Sequence, residues 1–191
     1  MDGTDPAVVA RAQAGDRDAF GILVERHSRA VFRVAYRLTG HEQDAEDVVQ
    51  ETFLHAFNQI GRFEMRSSVA TWLYRIAFNC AHDLLRQRPR AARHDSIDDE
   101  QGAGMANRLA DAAPGPDRQF ESAEIDRRVK DGLSGLSEQE RAAFILRHFE
   151  GQSIDEIGQA LGLQASATKH SIFRAVQKMR RAVEPLLDGQ T

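Results

Sequence analysis

A single cysteine, Cys80, stands among 191 residues. That excludes an intrachain disulfide and any cysteine-cluster metal site. There are five prolines and little β-branched alternation, a combination that points to helices rather than sheet. No run of about 18 apolar residues occurs, so no membrane span is expected. The first residues, Met1-Asp2-Gly3-Thr4-Asp5, are acidic rather than basic and then apolar. No signal peptide is expected, and the cytoplasm is the expected compartment. Enzyme signatures are missing too. No P-loop is present, and Gly102-Ala-Gly104 lacks a third glycine and follows no strand. His41-Glu42 begins like a zinc-protease motif, but position 45 is Ala45. His27 falls on an apolar helical stripe, where a histidine is more often part of the core than a ligand. No cofactor, metal or small-molecule substrate is expected, and an enzyme is not.

What is present is charge, sorted by segment. The net charge is −4, which by itself argues against nucleic acid. Residues 1–61, however, carry ten acids and six bases, and residues 62–94 carry seven bases and two acids. Residues 95–126 hold nine acids and two bases, whereas Ser166 to Arg181 holds five bases and no acid. Two basic surfaces are separated by an acidic connector, and such local fields decide what binds where. At 41% hydrophobic residues, the chain has enough apolar surface for a real core.

Helical punctuation organises the rest. Asp5-Pro6 opens a short helix that stops near Gly15. A second carries Phe20, Leu23, His27, Val31, Val34 and Leu38 and closes at Gly40. A third runs from Glu42 to Ile60. The fourth begins near Ser67 and stops before Pro89, since a residue preceding proline disfavours helix. From Pro89 to Pro116 the periodicity dissolves into an acidic, Gly/Pro-punctuated stretch that reads as a linker. Helical periodicity returns near Phe120 and lasts to Leu187. The expected fold is all-α: a four-helix N-terminal domain over 5–89, an acidic linker over 90–118, and a four-helix helix-turn-helix domain over 119–187. Whether the two domains pack together is left open by the sequence.

The C-terminal domain carries the clearest signal. Ser137-Glu-Gln-Glu140 and Ser153-Ile-Asp-Glu156 fit capping boxes, in which a serine hydroxyl and a glutamate carboxylate each satisfy an orphan backbone N–H. The first opens a helix with Phe144, Ile145, Leu146 and Phe149, closed by Gly151. The second opens a short helix that Gly162 ends with a tight turn. The helix after it places Ile172, Val176, Met179 and Val183 on an expected buried stripe, with bases on its other face. Short helix, glycine turn and longer basic helix set a recognition helix in the major groove of duplex DNA. Ser166, Lys169 and His170 near its start are expected at base edges, and Arg174, Lys178 and Arg181 at phosphates.

The N-terminal domain shows two outward faces. On the fourth helix Val69, Leu73, Ile76, Ala77, Cys80 and Leu84 form the expected core stripe. Opposite lie Thr71, Arg75, Phe78, Asn79, His82 and Arg86, with Trp72 and Tyr74 at the margins. Aromatics interleaved with arginine suit stacking on unpaired bases beside a phosphate backbone. The preceding loop, Arg62 to Ser67, holds Phe63 and Met65 outside the periodicity. On the third helix Ala45, Val49, Thr52, Phe53, Ala56 and Ile60 read as core. Asp47, Gln50, Glu51, Leu54 and Asn58 face away. A leucine ringed by acids and amides suits protein docking, because the acids repel phosphate.

Three segments resemble one known family. Asp44-Ala-Glu-Asp-Val-Val-Gln-Glu-Thr-Phe53, Thr71-Trp-Leu-Tyr-Arg-Ile-Ala-Phe-Asn79 and Ser153-Ile-Asp-Glu-Ile-Gly-Gln-Ala-Leu-Gly162 resemble bacterial sigma factors of the extracytoplasmic-function (ECF) group, in that group's order and spacing. The resemblance implies that Asp47, Gln50, Glu51, Leu54 and Asn58 dock on the clamp helices of the largest subunit of core RNA polymerase. It implies that Phe63, Met65, Arg66, Ser67, Trp72, Arg75, Phe78, Asn79, His82 and Arg86 read and hold the melted −10 strand of promoter DNA. Ser166, Lys169, His170, Ser171, Arg174, Lys178 and Arg181 would read the −35 element as duplex, and the linker would thread the polymerase cleft. An anti-sigma factor is an implied partner. Where many members carry Gly-Thr-Val-Lys-Ser-Arg, this chain has Ser166-Ala-Thr-Lys-His-Ser171, so its −35 preference is expected to be its own. The alternative is a stand-alone helix-turn-helix repressor or activator, which would need a self-complementary apolar surface in place of the basic aromatic face.

Overall fold

The computed structural model describes residues 5–87 and 127–188; the expected linker over 90–118 lies outside the described residues. The first domain comprises α1 (Asp5–Gln13), α2 (Arg17–Thr39), α3 (Glu42–Gln59) and α4 (Val69–Gln87), with a 3-10 turn at Ile60–Arg62. Local chemistry sets these ends. Asp16 caps α2 by accepting from the Ala19 N–H at 3.0 Å. Gly40, at φ +75°, closes it by donating to the Tyr36 carbonyl at 2.8 Å. Ser68 caps α4 by accepting from the Thr71 N–H at 3.0 Å. Leu23, Val31, Val34, Val48 and Leu73 are fully buried between these helices; each such side chain contributes roughly 1.5–3 kcal/mol of burial.

The second domain is described from residue 127. It comprises α5 (127–134), α6 (Glu138–His148), α7 (Ile154–Leu161) and α8 (Ala165–Asp188). Both capping boxes form. Ser137 N–H donates to Glu140 Oε2 at 3.0 Å and Glu140 N–H to Ser137 Oγ at 3.2 Å. The Ser153–Glu156 pair does the same at 2.8 and 3.2 Å. Among the described residues there is no strand, and no helix is long and apolar enough to cross a membrane.

Three expected stripes are rotated in the structure. On α3 it is Val48, not Val49, that is fully buried, because α3 packs between α2 and α4 and its buried arc also takes in Asp44 and Ala45. On α4 Cys80 and Leu84 are only half-buried, whereas Thr71 and Tyr74, expected outward or marginal, are buried. On α8 the inner line is Thr168, Ala175 and Met179, with Ile172 and Val183 half-buried and Val176 exposed beside Phe173. Small residues at 168 and 175 let α8 approach closely, and 176 lies a further 100° round the helix.

The burial of Thr71 and Tyr74 has one cause: the domains pack on each other. α4 runs against α7, and α2 against α6. The polar contacts of the junction centre on the Glu150-Gly151-Gln152 turn between α6 and α7.

Candidate nucleic-acid interface

The loop from Phe63 to Ser67 is anchored from beneath. Gln13 of α1 donates from Nε2 to the carbonyls of Ile60 at 3.1 Å and Phe63 at 2.7 Å. Phe63 is buried and stacks on Trp72 with ring centroids 4.7 Å apart. Of the two hydrophobic loop residues, Phe63 therefore serves as the foot and Met65 as the tip. Met65 is 49% exposed and takes φ +52°, a conformation uncommon for a residue with a side chain and of the kind held at functional sites. Arg66 is exposed and pairs with Glu64 at 2.7 Å, and Ser67 is half-buried.

The outer side of α4 divides lengthwise. Arg75, Asn79 and Arg86 are exposed along one edge. The other edge is the line Thr71, Tyr74, Phe78 and His82, at intervals of three or four residues. Here Thr71 Oγ1 donates to Gln152 Oε1 at 3.0 Å, Tyr74 Oη to Glu150 Oε2 at 3.1 Å, and His82 Nε2 lies 3.4 Å from Glu138 Oε2. Phe78 is half-buried between them. Trp72 is half-buried against Phe63.

On α3 Asp47, Gln50, Glu51, Leu54 and Asn58 are all exposed, with Leu54 the most open of the large apolar residues in the first domain at 55%. Phe57, absent from the sequence reading, extends this apolar spot. It is 44% exposed and meets Phe20 edge-on at 5.1 Å. Phe57 stands in helical register with both Phe53 of the core stripe and Leu54 of the outward face, so spacing alone does not assign it to either.

On α8 Ser166, Lys169, His170, Arg174 and Arg181 are exposed and Ser171 is half-buried. The turn that presents them depends on Gly158. A Cβ there would lie 2.8 Å from the Leu163 carbonyl oxygen and 3.3 Å from Thr168 Oγ1. Gly162, at φ +67°, completes the reversal. Lys178 differs from its neighbours, because its ammonium lies 2.6 Å from Glu140 Oε2, the capping carboxylate of α6. Burial pushes the Glu140 carboxyl up, but Lys178 and the Ser137 N–H outweigh it and hold the group below its ordinary value.

The domain junction collects residues that are far apart in the sequence. Arg33 of α2 grips Glu150 through two parallel bonds, Nε to Oε1 at 3.1 Å and Nη2 to Oε2 at 2.8 Å. The Glu150 side chain is 4% exposed. The Arg37 guanidinium sits 4.1 Å over the Phe149 ring, and Arg141 donates to the Leu38 carbonyl at 2.8 Å, across the junction. Burial and then the Glu150 carboxylate push the Tyr74 phenol far above its ordinary value, so it remains a donor.

A basic α8 presented by a glycine turn, an aromatic-arginine α4 and an acidic α3 thus occupy one helical chain. Comparison with known proteins decides what it is. The Sigma-70 region 2 family model matches residues 23–91, and the Sigma-70 region 4 model matches residues 126–179. The chain is 33% identical over 186 residues to the ECF RNA polymerase sigma-E factor of Haemophilus influenzae, covering 96% of this chain and 97% of that one. The chain belongs to the ECF group of sigma factors.

Other relatives agree with this ECF factor along nearly their whole length. The RNA polymerase sigma-H factor of Pseudomonas aeruginosa is 32% identical, with 96% of this chain and 95% of that one covered. SigW of Bacillus subtilis is 26% identical, with 93% and 96% covered. Among solved structures, CnrH in complex with the cytosolic domain of CnrY matches with a TM-score of 0.66 at 30% identity, covering 98% of this chain and 99% of that one. The helix-turn-helix belongs to a transcription-initiation factor, and a stand-alone repressor is not favoured.

Proposed function

We propose that this sigma factor docks core RNA polymerase through the outward face of α3, holds the melted −10 strand with the Met65 loop and α4, and reads the −35 duplex with the start of α8. The observation that carries this reading is the chemical separation of the three exposed surfaces. Leu54 among Asp47, Gln50, Glu51 and Asn58 offers an apolar contact inside a ring that repels DNA. The strained, exposed Met65 and the Arg75, Asn79 and Arg86 edge offer apolar contact and cations to an unpaired strand. The acid-free stretch of α8 from Ser166 to Arg181 offers donors and cations to a duplex. Polymerase supplies the chemistry of RNA synthesis, so no catalytic group is assigned to this chain, and it works in the cytoplasm with its promoter DNA.

An anti-sigma factor is the expected regulator. CnrH was solved in complex with the cytosolic domain of CnrY; a protein partner of that kind is proposed here, and the exposed Leu54 and Phe57 make the α3 face the surface on which it would compete with polymerase. The test is reconstitution with purified core polymerase. Leu54→Ala with Glu51→Ala is expected to weaken holoenzyme formation at least about tenfold, on the scale of a buried contact at an interface centre. In the assembled holoenzyme, Phe78→Ala or Asn79→Ala is expected to reduce permanganate reactivity of the promoter with little loss of closed-complex affinity. Normal melting by both variants overturns the α4 assignment, and unchanged holoenzyme assembly overturns the α3 assignment.

A further inference from the structure

We propose that Met65 is an oxidation site, taking one oxygen atom from a peroxide-class oxidant at its thioether sulfur, and that the sulfoxide so formed weakens this factor's hold on the melted strand. Two observations point to it. The first is an exposure that the loop itself enforces. Gln13 holds the loop backbone at the Ile60 and Phe63 carbonyls, and Phe63 is the loop's buried apolar residue, stacked on Trp72. Met65 is left at the tip, 49% exposed and at φ +52°, between the exposed ion-paired neighbours Glu64 and Arg66. Methionine ordinarily fills irregular gaps in a core; here the sulfur is kept in solvent.

The second observation is that the other sulfurs among the described residues are shielded. Met179 is buried on the inner line of α8, where a Cβ at Gly132 of α5 would lie 2.9 Å from its Sδ. Cys80 is half-buried, and burial pushes its thiol up, so little of the reactive thiolate exists at neutral pH. A thioether needs no deprotonation. With hydrogen peroxide, a sulfur lone pair attacks one peroxide oxygen and the O–O bond breaks. The products are methionine sulfoxide and water, the sulfur being oxidised and the peroxide reduced by the same electron pair. The sulfoxide is polar where the thioether was apolar. At the loop tip it replaces an apolar contact with a hydrated acceptor, and it offers the neighbouring Arg66 guanidinium a partner other than a strand phosphate.

The effect on the strand rests on the assignment of the Met65 loop above, whereas the oxidation site does not. The full chain is treated with hydrogen peroxide, cleared of it and mapped by peptide mass spectrometry. It is then assembled with untreated core polymerase, so that the enzyme's own sulfurs stay reduced. Met65 is expected to gain its oxygen at least about tenfold faster than Met179, since reaction follows exposure. Permanganate reactivity of the promoter is expected to fall about tenfold, the low end of what covering a methionine side chain contributes, while holoenzyme assembly and binding to a random duplex hold. Methionine sulfoxide reductases are expected to restore melting. Met65→Leu and Met65→Gly carry no sulfur at the tip, and glycine also suits the left-handed backbone; each is expected to melt promoters to the same extent with and without peroxide treatment. Cys80→Ala is expected to lose melting on treatment as the wild type does.

Oxidation of Met65 no faster than Met179 overturns the site. A loss of melting that persists in Met65→Leu and Met65→Gly, or that is absent in Cys80→Ala, overturns the part given to Met65. Rapid sulfoxide formation with unchanged melting overturns the effect on the strand. If Phe78→Ala impairs melting in that same assay, the reading of the strand surface stands without it; if Phe78→Ala and Asn79→Ala both melt promoters normally, that reading is what has failed.

Discussion

Lys178 was expected on a phosphate, yet its ammonium lies 2.6 Å from the Glu140 carboxylate. Lys178→Met keeps the aliphatic stem along α8 and removes only the charge. Glu140 is 8% exposed and Lys178 47%, so the pair is half in solvent and is screened accordingly. The carboxylate also accepts the Ser137 N–H and would keep that bond. A hydrogen bond to a charged group is worth about 1.5–3 kcal/mol; halved for exposure, the loss is about 1 kcal/mol. Denaturant unfolding of the full chain is expected to show that loss as a lower midpoint. Binding to a random duplex is expected to keep its salt slope in Lys178→Met, whereas Arg174→Ala lowers it by about 0.9, one phosphate contact. The reasoning is refuted if Lys178→Met lowers the slope as much as Arg174→Ala does and leaves the midpoint in place.

Three further outcomes are expected. Gln13→Ala removes both donors under the Met65 loop and is expected to slow open-complex formation while holoenzyme assembly, measured by gel filtration, stays normal. Gly158→Ala forces its methyl group against the Leu163 carbonyl; a cost of about 1–3 kcal/mol for overpacking is expected in unfolding, together with weaker duplex binding. Acid is expected to loosen the second domain. Glu140 and Glu156 are both held below their ordinary value near 4.5, Glu156 mainly by the Ser153 N–H and hydroxyl. Stability from such lowered carboxyls is fully present above that value and is lost as pH falls through the folded values. A urea midpoint at pH 4 equal to that at pH 7 would refute it; replacing both glutamates with glutamine should flatten the dependence.

The helices were legible because their ends are written in local chemistry. Gly40 and Gly162 need the left-handed region, and Ser137 and Ser153 need a glutamate three residues on; neither depends on what packs nearby. The exposed faces of α3 and the start of α8 were legible for a similar reason, since charge along a helix marks its wet side. Burial of Thr71 and Tyr74 was not legible. It is imposed by a turn 76 residues further along the chain, and periodicity within α4 carries no information about it. Val48 and Val49 could not be told apart, as a helix packed on two sides has a buried arc wide enough to admit either. Lys178 and Arg174 looked alike, being four residues apart on one face. Only the position of Glu140 on another helix separates them.

The distance in sequence between Tyr74 and Glu150 also has a consequence in time. The ribosome makes Tyr74 first and Glu150 76 residues later, an interval of roughly 4–15 s at about 5–20 residues per second. Once Gln87 is made, the helices of the first domain are all synthesised while Arg33 and Tyr74 still lack the carboxylate they bind. The junction therefore becomes possible only after the first domain's helices are made, and a partner that recognises the uncovered Thr71–His82 line meets it unopposed only in that interval.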